Sequence, residues 1–213
     1  MNFTIDENHR LLLDGKPVAF RQTPNVGGEM PVRRFLVQHF TAGASASSAI
    51  DWLCDPESKA SAHLVIARDG TVTQLAPFNR VTWHAGRSEW THFGRKFVGL
   101  NACSIGIEFD NAGRLHANPG GGWKTSWGKL VPSHEVHLAR HKHGGPACGW
   151  HRYTDGQLTV GLLVSRALVE RYNLDAVLGH EDIAPRRKDD PGPAFPMERF
   201  QRLILEARNA ATR

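Results

Sequence analysis

The sequence predicts an α/β fold: a single domain with a central mixed β-sheet flanked by helices, carrying a long insertion. Three observations lead there. Short apolar and β-branched runs alternate with helix-period segments on both sides of the chain's middle. Asp69-Gly70 stands between two of those runs and calls for a hairpin, so some pairing is antiparallel and the sheet is mixed. Residues 111–155 break the pattern, with many Gly, Trp, His and Lys and little periodicity. At 213 residues the chain fits one domain, 1–213, with a substantial core.

Taken in order, residues 1–30 read as an N-terminal extension of short extended pieces, Phe3–Ile5 and Leu11–Leu13, ending at Gly27-Gly28. Arg34–Phe40 is a strand of apolar and β-branched residues that stops at Thr41-Ala-Gly. Ser45–Leu53 suits a short helix with Ser45 or Ser47 as cap and Ile50, Trp52 and Leu53 packing inward. His63–Arg68 and Thr71–Leu75 flank the Asp-Gly turn. Cys103–Phe109 alternates, placing Ile105, Ile107 and Phe109 on one face and Glu108 on the other. The insertion 111–155 is expected to be a long loop with a short helical piece near His134–Arg140. Gln157–Tyr172 is an amphipathic helix, with Leu158, Leu162, Val164, Ser165, Leu168 and Val169 near one stripe. Ala176–Gly179 is a short strand, and Pro196–Ala210 a closing helix with Phe200, Leu203 and Ile204 turned to the core.

Composition bounds function loosely. With 26 basic and 21 acidic side chains the net charge is +5, which favours an anionic partner such as nucleic acid, a phospholipid surface or a wall polymer without selecting among them. Cys54, Cys103 and Cys148 are an odd number at irregular spacing, against a disulfide framework and in keeping with a reducing compartment. The first ten residues lack the basic start and apolar core of a signal peptide, and no apolar run reaches the ~20 residues that span a bilayer. A cytoplasmic protein is expected.

The chemistry concentrates in Gly179–Pro193. His180, Lys188, Asp189 and Asp190 lie in a stretch where Pro185, Pro191 and Pro193 block regular ladders, and such loops commonly carry function. His39 closes one apolar strand and His180 follows another, where active-site groups of open α/β sheets gather. Two histidines and a carboxylate, Asp190 or Asp189, suit a catalytic zinc, because three protein ligands leave a fourth position for water whose pKa the metal lowers. Glu108, a carboxylate in an apolar strand, is the candidate base and acid for amide hydrolysis. Lys188 is placed to stabilise an oxyanion. Each residue taken singly also has a plain structural reading: a satisfied strand-end histidine, a glutamate paired with arginine, a solvated lysine.

Five motifs in order carry a resemblance: Gln38–Ala42, Ser61–Gly70, Trp83–Gly86, Ser104–Glu108, and Gly179–Pro185 continuing through Lys188–Pro193. Together they resemble the zinc-dependent N-acetylmuramoyl-L-alanine amidases of the type-2 amidase family, which includes wall-recycling amidases, phage endolysins and peptidoglycan recognition proteins. The resemblance covers roughly 34–109 and 157–200. It implies that His39, His180 and Asp190 hold Zn2+, that Glu108 and Lys188 are catalytic, and that the bond cut joins N-acetylmuramic acid to L-alanine of peptidoglycan or a muramyl peptide. A monomer with no nucleic-acid partner is expected. Trp83 and His84 fall in the family's Trp-His-Ala-Gly segment and are expected to contact substrate; Asn101 is a weaker candidate. His63 is expected to pack beneath the site. The alternatives are a peptidoglycan-binding module without activity and a zinc peptidase acting within the stem peptide. The insertion is longer than compact members require. The insertion is expected to be solvent-exposed and partly ordered; its His134, His137, His141, His143, Cys148 and His151 make a second metal conceivable, and a saccharide or peptide groove lined by Trp123, Trp127 and Trp150 is the alternative.

Overall fold

The computed structural model describes the backbone of residues 1–211 and the side chains of residues 1–204. Its centre is a six-stranded mixed sheet in the order Ala176–Gly179, Phe35–Phe40, Ser104–Phe109, Leu64–Ile66, Val72–Gln74, Ala19–Phe20. The first four strands run parallel, Leu64–Ile66 turns antiparallel into Val72–Gln74 through Asp69-Gly70, and Ala19–Phe20 adds a parallel edge. The predicted mixed sheet and hairpin are both present.

Alternation along the strands divides the sheet into two faces. Leu36, Ile66, Ile105, Ile107, Phe109 and Val177 point to one side, where they bury against the helices Asp155–Tyr172 and Met197–Ala211. The long helix can lie close because Gly161 faces the Phe109 ring, where a Cβ would stand 2.5 Å from Cε1. Phe35, Val37 and Leu178 point to the other side with Leu100 and Ile183, and Val65 meets Leu53 there. This second face carries the polar row described below.

The helix Ala46–Leu53 starts at Ser45, whose side chain accepts from the Ser48 N–H in a reciprocal capping box. Its Leu53 is buried and Ile50 partly so, but Trp52 is not: it stays 60% exposed, because the helix is short and its apolar stripe is filled without it. The N-terminal extension is built into the domain. Phe3 and Leu11 belong to the main core, and Val26–Glu29 pairs with Arg80–Thr82.

The insertion departs most from expectation. Residues 111–155 are not an irregular loop. His116–Ala117, Trp123–Lys124 and Leu130–Val131 form a three-stranded meander. Val136–Ala139 pairs antiparallel with Cys148–His151, so the helical piece expected near His134–Arg140 is a single 3-10 turn, Ser133–Glu135, followed by a strand. Short strands of two to four residues carry too few alternations to stand out in a sequence. They are held by a cluster of Ala112, Leu115 and Val136 with Trp123 and Val131. No helix among the described residues is long and apolar enough to cross a membrane.

Candidate metal centre and active-site cleft

Three parallel strands bring the predicted residues into one row. Glu108 is in register with His39, and Gly179 with Gln38, so His180 leaves its strand level with His39. Side chains in register on parallel neighbours project to the same face. The row therefore runs His180, His39, Glu108 across adjacent strands at their carboxyl ends. After Gly179 the chain makes one helical turn, His180–Ile183, where the proline-rich sequence had suggested no regular structure. The Asp182 carboxylate accepts from the Gly179 N–H at 2.7 Å, and the turn ends before Pro185. The segment then folds back so that Asp190 returns to the row.

His39 Nδ1, His180 Nδ1 and Asp190 Oδ2 meet at 2.9 to 3.1 Å from one another, all three residues buried. The far side of each ring fixes its tautomer. His180 Nε2 lies 3.1 Å from the Ala85 carbonyl, which can only accept, and 3.2 Å from Arg187 Nη2, whose two protons go to the Ala85 and Arg87 carbonyls, so Nε2 carries the ring proton. His39 Nε2 faces His84 Nδ1 at 3.0 Å, and His84 Nε2 faces the Ser104 carbonyl at 3.2 Å and its hydroxyl at 3.1 Å. Because the Ser104 carbonyl can only accept, His84 Nε2 donates, its Nδ1 accepts, and His39 donates through Nε2. Both ligand-candidate rings thus turn an Nδ1 lone pair toward the Asp190 carboxylate. Three such atoms repel unless a cation lies among them. Their spacing is close to the roughly 3.3 Å edge of a tetrahedron with zinc-length bonds to N and O. The donor set fits a metal, and it is the one such group among the described residues.

The electrostatics agree with that arrangement. Burial and the neighbouring His180 push His39 down to about 4. Burial, then His39 and His63, push His84 well down as well. Burial raises the Asp190 carboxyl, but the close contacts with His180 and His39 outweigh it and hold Asp190 well below the usual carboxylate range. A neutral His39 beside an ionised Asp190 is the protonation state a metal requires of these two groups. Glu108 behaves in the opposite way: burial, then the Asp190 charge, push it up to about 8, with Lys188 pulling the other way. Its Oε2 is buried without a hydrogen-bond partner among the described residues.

The cleft over this row has a volume of about 610 Å³. Glu108, Lys188, Asp190 and Trp83 border it, as does Trp52, which the sequence had suggested would pack inward. Trp83 is 38% exposed at its mouth. His84 also borders the cleft, but it is buried and both ring nitrogens are committed inside the protein. Its ring lies against Gly106, where a Cβ would stand 2.5 Å from Cγ. His63 packs beneath, as expected, bonded to Arg80, Thr82 and Gly106. Asn101 does not reach the cleft lining; its side chain accepts from the Ala85 N–H at 2.7 Å and so holds the Trp83–Gly86 segment.

Sequence reasoning missed Arg187. Its guanidinium donates to the carbonyls of Ala85 at 2.8 Å and Arg87 at 3.0 Å. Asp189, the alternative ligand, is not part of the His39–His180–Asp190 group and pairs with Arg114 at 2.8 Å. The insertion's histidines form no metal-ligand group among the described residues: His151 faces Glu135, His141 faces Glu181, and His134 is an exposed neighbour of Glu135. No residue of 111–155 is among those lining the cleft, and Trp150 is fully buried, so the alternative of a groove lined by Trp123, Trp127 and Trp150 is not formed at this site.

Comparison with known proteins adds the following. The family model described as N-acetylmuramoyl-L-alanine amidase matches residues 28–193. The chain is 34% identical over 148 residues to the 1,6-anhydro-N-acetylmuramyl-L-alanine amidase AmpD of Escherichia coli, covering 68% of this chain and 59% of that protein. It is 30% identical over 179 residues to the N-acetylmuramoyl-L-alanine amidase AmiD of the same organism, covering 80% and 52%. The chain therefore spans somewhat over half the length of these curated relatives. Among solved structures it resembles a selenomethionine derivative of AmpD, with a TM-score of 0.57 and 26% identity over 94% of this chain and 98% of that one. It also resembles AmpDh3 of Pseudomonas aeruginosa in complex with an anhydromuramic pentapeptide, with a TM-score of 0.57 and 26% identity over 96% and 66%.

Proposed function

The chain belongs to the N-acetylmuramoyl-L-alanine amidase family of type 2, and from that membership we propose that it hydrolyses the amide joining N-acetylmuramic acid to L-alanine in muramyl peptides or peptidoglycan. The observation that carries the proposal is the convergence of His39 Nδ1, His180 Nδ1 and Asp190 Oδ2 beside Glu108 in one cleft. His39, His180 and Asp190 would hold zinc, which supplies a Lewis acid for the carbonyl and for the attacking water.

The chain's own groups do the rest. Glu108 takes the proton of the attacking water and returns it to the leaving nitrogen of L-alanine. A carboxyl raised toward neutrality by burial exchanges a proton at little cost near pH 7. Lys188, bordering the same cleft, brings a positive charge to the oxygen that becomes anionic. Trp83 offers an apolar wall at the mouth for the sugar or the stem peptide. His84 acts through His39, fixing which nitrogen of that ring faces the metal. The inactive binding module is disfavoured because the complete donor set and an unpartnered buried carboxylate oxygen would serve no purpose in it. Action in the cytoplasm belongs to the same reading, supported by three cysteines left free.

The test is direct. Zinc-supplemented protein is incubated with an anhydro-muramyl tripeptide, and the products are weighed by mass spectrometry alongside a metal assay of the protein. Release of the free tripeptide is expected. Intact substrate with zinc bound would refute the enzyme reading, and fragments from within the stem peptide would replace it with a peptidase.

A further inference from the structure

The segment 111–155 avoids the cleft, yet it grips the turn that carries two of the three metal-ligand candidates. His141 Nδ1 accepts from the His143 N–H at 3.2 Å, which leaves the ring proton on Nε2, donated to Glu181 Oε2 at 2.6 Å. Lys142 Nζ lies 2.8 Å from Glu181 Oε1 and 2.6 Å from Asp182 Oδ1. His143 Nε2 donates to the Glu181 carbonyl at 2.9 Å. Farther along the turn, Arg114 Nε donates to Asp189 at 2.8 Å. The Tyr153 hydroxyl donates to the Pro191 carbonyl at 2.8 Å, and the Trp150 ring packs on Gly192, where a Cβ would come within 2.8 Å.

Glu181 is the centre of this arrangement. It follows His180 directly, its N–H donates to the Asp190 carbonyl at 2.8 Å, and its side chain is buried. A buried carboxylate is costly unless its oxygens are satisfied. Both are, and both partners come from His141 and Lys142. One residue thus ties together the backbone at His180 and at Asp190, and the insertion supplies what makes its burial tolerable.

We propose that the insertion is a clamp on the metal-binding turn, with His141 as its chief positioning residue and Arg114 as a second hold at the far end. By keeping His180 and Asp190 in place it sets how long the metal stays bound, and it does not touch substrate. This rests on reading His180 and Asp190 as metal ligands. Partners that orient metal ligands typically change affinity by about 10–100-fold when removed.

The experiment uses the full chain with His141→Ala, His141→Gln and Arg114→Ala. Zinc release to a chromogenic chelator is timed, amide hydrogen exchange over residues 179–190 is followed in metal-free protein, and KM is measured on a muramyl peptide. For His141→Ala, zinc release roughly 10-fold faster or more is expected, with faster exchange at 179–190 but not at 104–109, and an unchanged KM. His141→Gln, whose amide can still donate to Glu181, should recover most of the loss. Arg114→Ala removes a half-exposed contact, and its smaller effect in the same direction decides the matter should His141→Ala fail to fold. Unchanged release and exchange in the folded variants would overturn the clamp, as would a raised KM with unaltered zinc release, which would make the segment a substrate contact. Should the parent protein bind no zinc, the ligand reading fails, and the exchange measurement on metal-free protein still decides whether the clamp exists.

Discussion

His39 and His84 meet nitrogen to nitrogen at 3.0 Å, and the direction of that hydrogen bond follows from the Ser104 carbonyl beyond. The Trp-His-Ala-Gly histidine is therefore hydrogen-bonded to a ligand candidate, where the sequence had suggested a contact to substrate. His84→Ala should weaken zinc binding by about 10–100-fold while leaving KM near its starting value. Gly106→Ala should act in the same way, since the new methyl group would displace the His84 ring. Competition against a chelator of known affinity checks both. A KM effect without a zinc effect would restore the substrate-contact reading.

Glu108→Gln should keep a full equivalent of zinc and lose about 10²-fold or more in kcat, the range expected for removing a general acid–base group. Metal analysis and steady-state kinetics on one preparation check this. Zinc loss accounting for the whole defect would remove Glu108 from the chemistry.

Asp190→Asn should release zinc and abolish turnover, whereas Asp189→Asn should retain stoichiometric metal, because Asp189 faces Arg114 outside the centre. Metal content after dialysis distinguishes the two adjacent carboxylates, which spacing alone left open.

The raised pKa of Glu108 has a signature in stability. In the fold it keeps its proton up to about 8, against 4.5 when free. Between those values the folded state binds more protons than the unfolded, so this group's contribution to stability falls as pH rises through the window. His39 and His63, lowered to about 4 by burial, have the opposite sign below their ordinary value of 6.5. Comparing metal-free protein with metal-free Glu108→Gln cancels them. The Tm advantage of the glutamine variant should widen from pH 5 to pH 8 in thermal melts, and a constant gap would place the Glu108 pKa near its ordinary value.

Gly161→Ala should cost about 1–3 kcal/mol by driving a methyl group into Phe109. A lower Tm with unchanged zinc affinity is the expected result.

Much of this was legible in the residues themselves. The strands Phe35–Phe40 and Ser104–Phe109 announced themselves by alternation and β-branching, and the turn at Asp69-Gly70 by its φ requirements. His39 and His180 followed from residue type at strand ends, while Asp190 was preferred to Asp189 only through the family resemblance. What stayed hidden depends on contacts distant in sequence. The partner of His141 is forty residues away, and Arg187 acts on carbonyls about a hundred residues earlier. Trp52 and Trp150 are the same residue type with opposite fates, one open beside the cleft and one sealed against Gly192. No local pattern separates them.

The in-register pairing of Glu108 with His39 gives the site a fixed jaw and an adjustable one. The separation between the proton-handling group and the first ligand is set by the spacing of two hydrogen-bonded strands, and so does not depend on any loop. The other two ligand candidates ride on a turn whose hold on the sheet is shared among side chains from elsewhere in the chain. Tuning such a site calls for no change to the reacting groups. Retention of the ion can be altered at the adjustable jaw while the distance over which the proton travels stays the same.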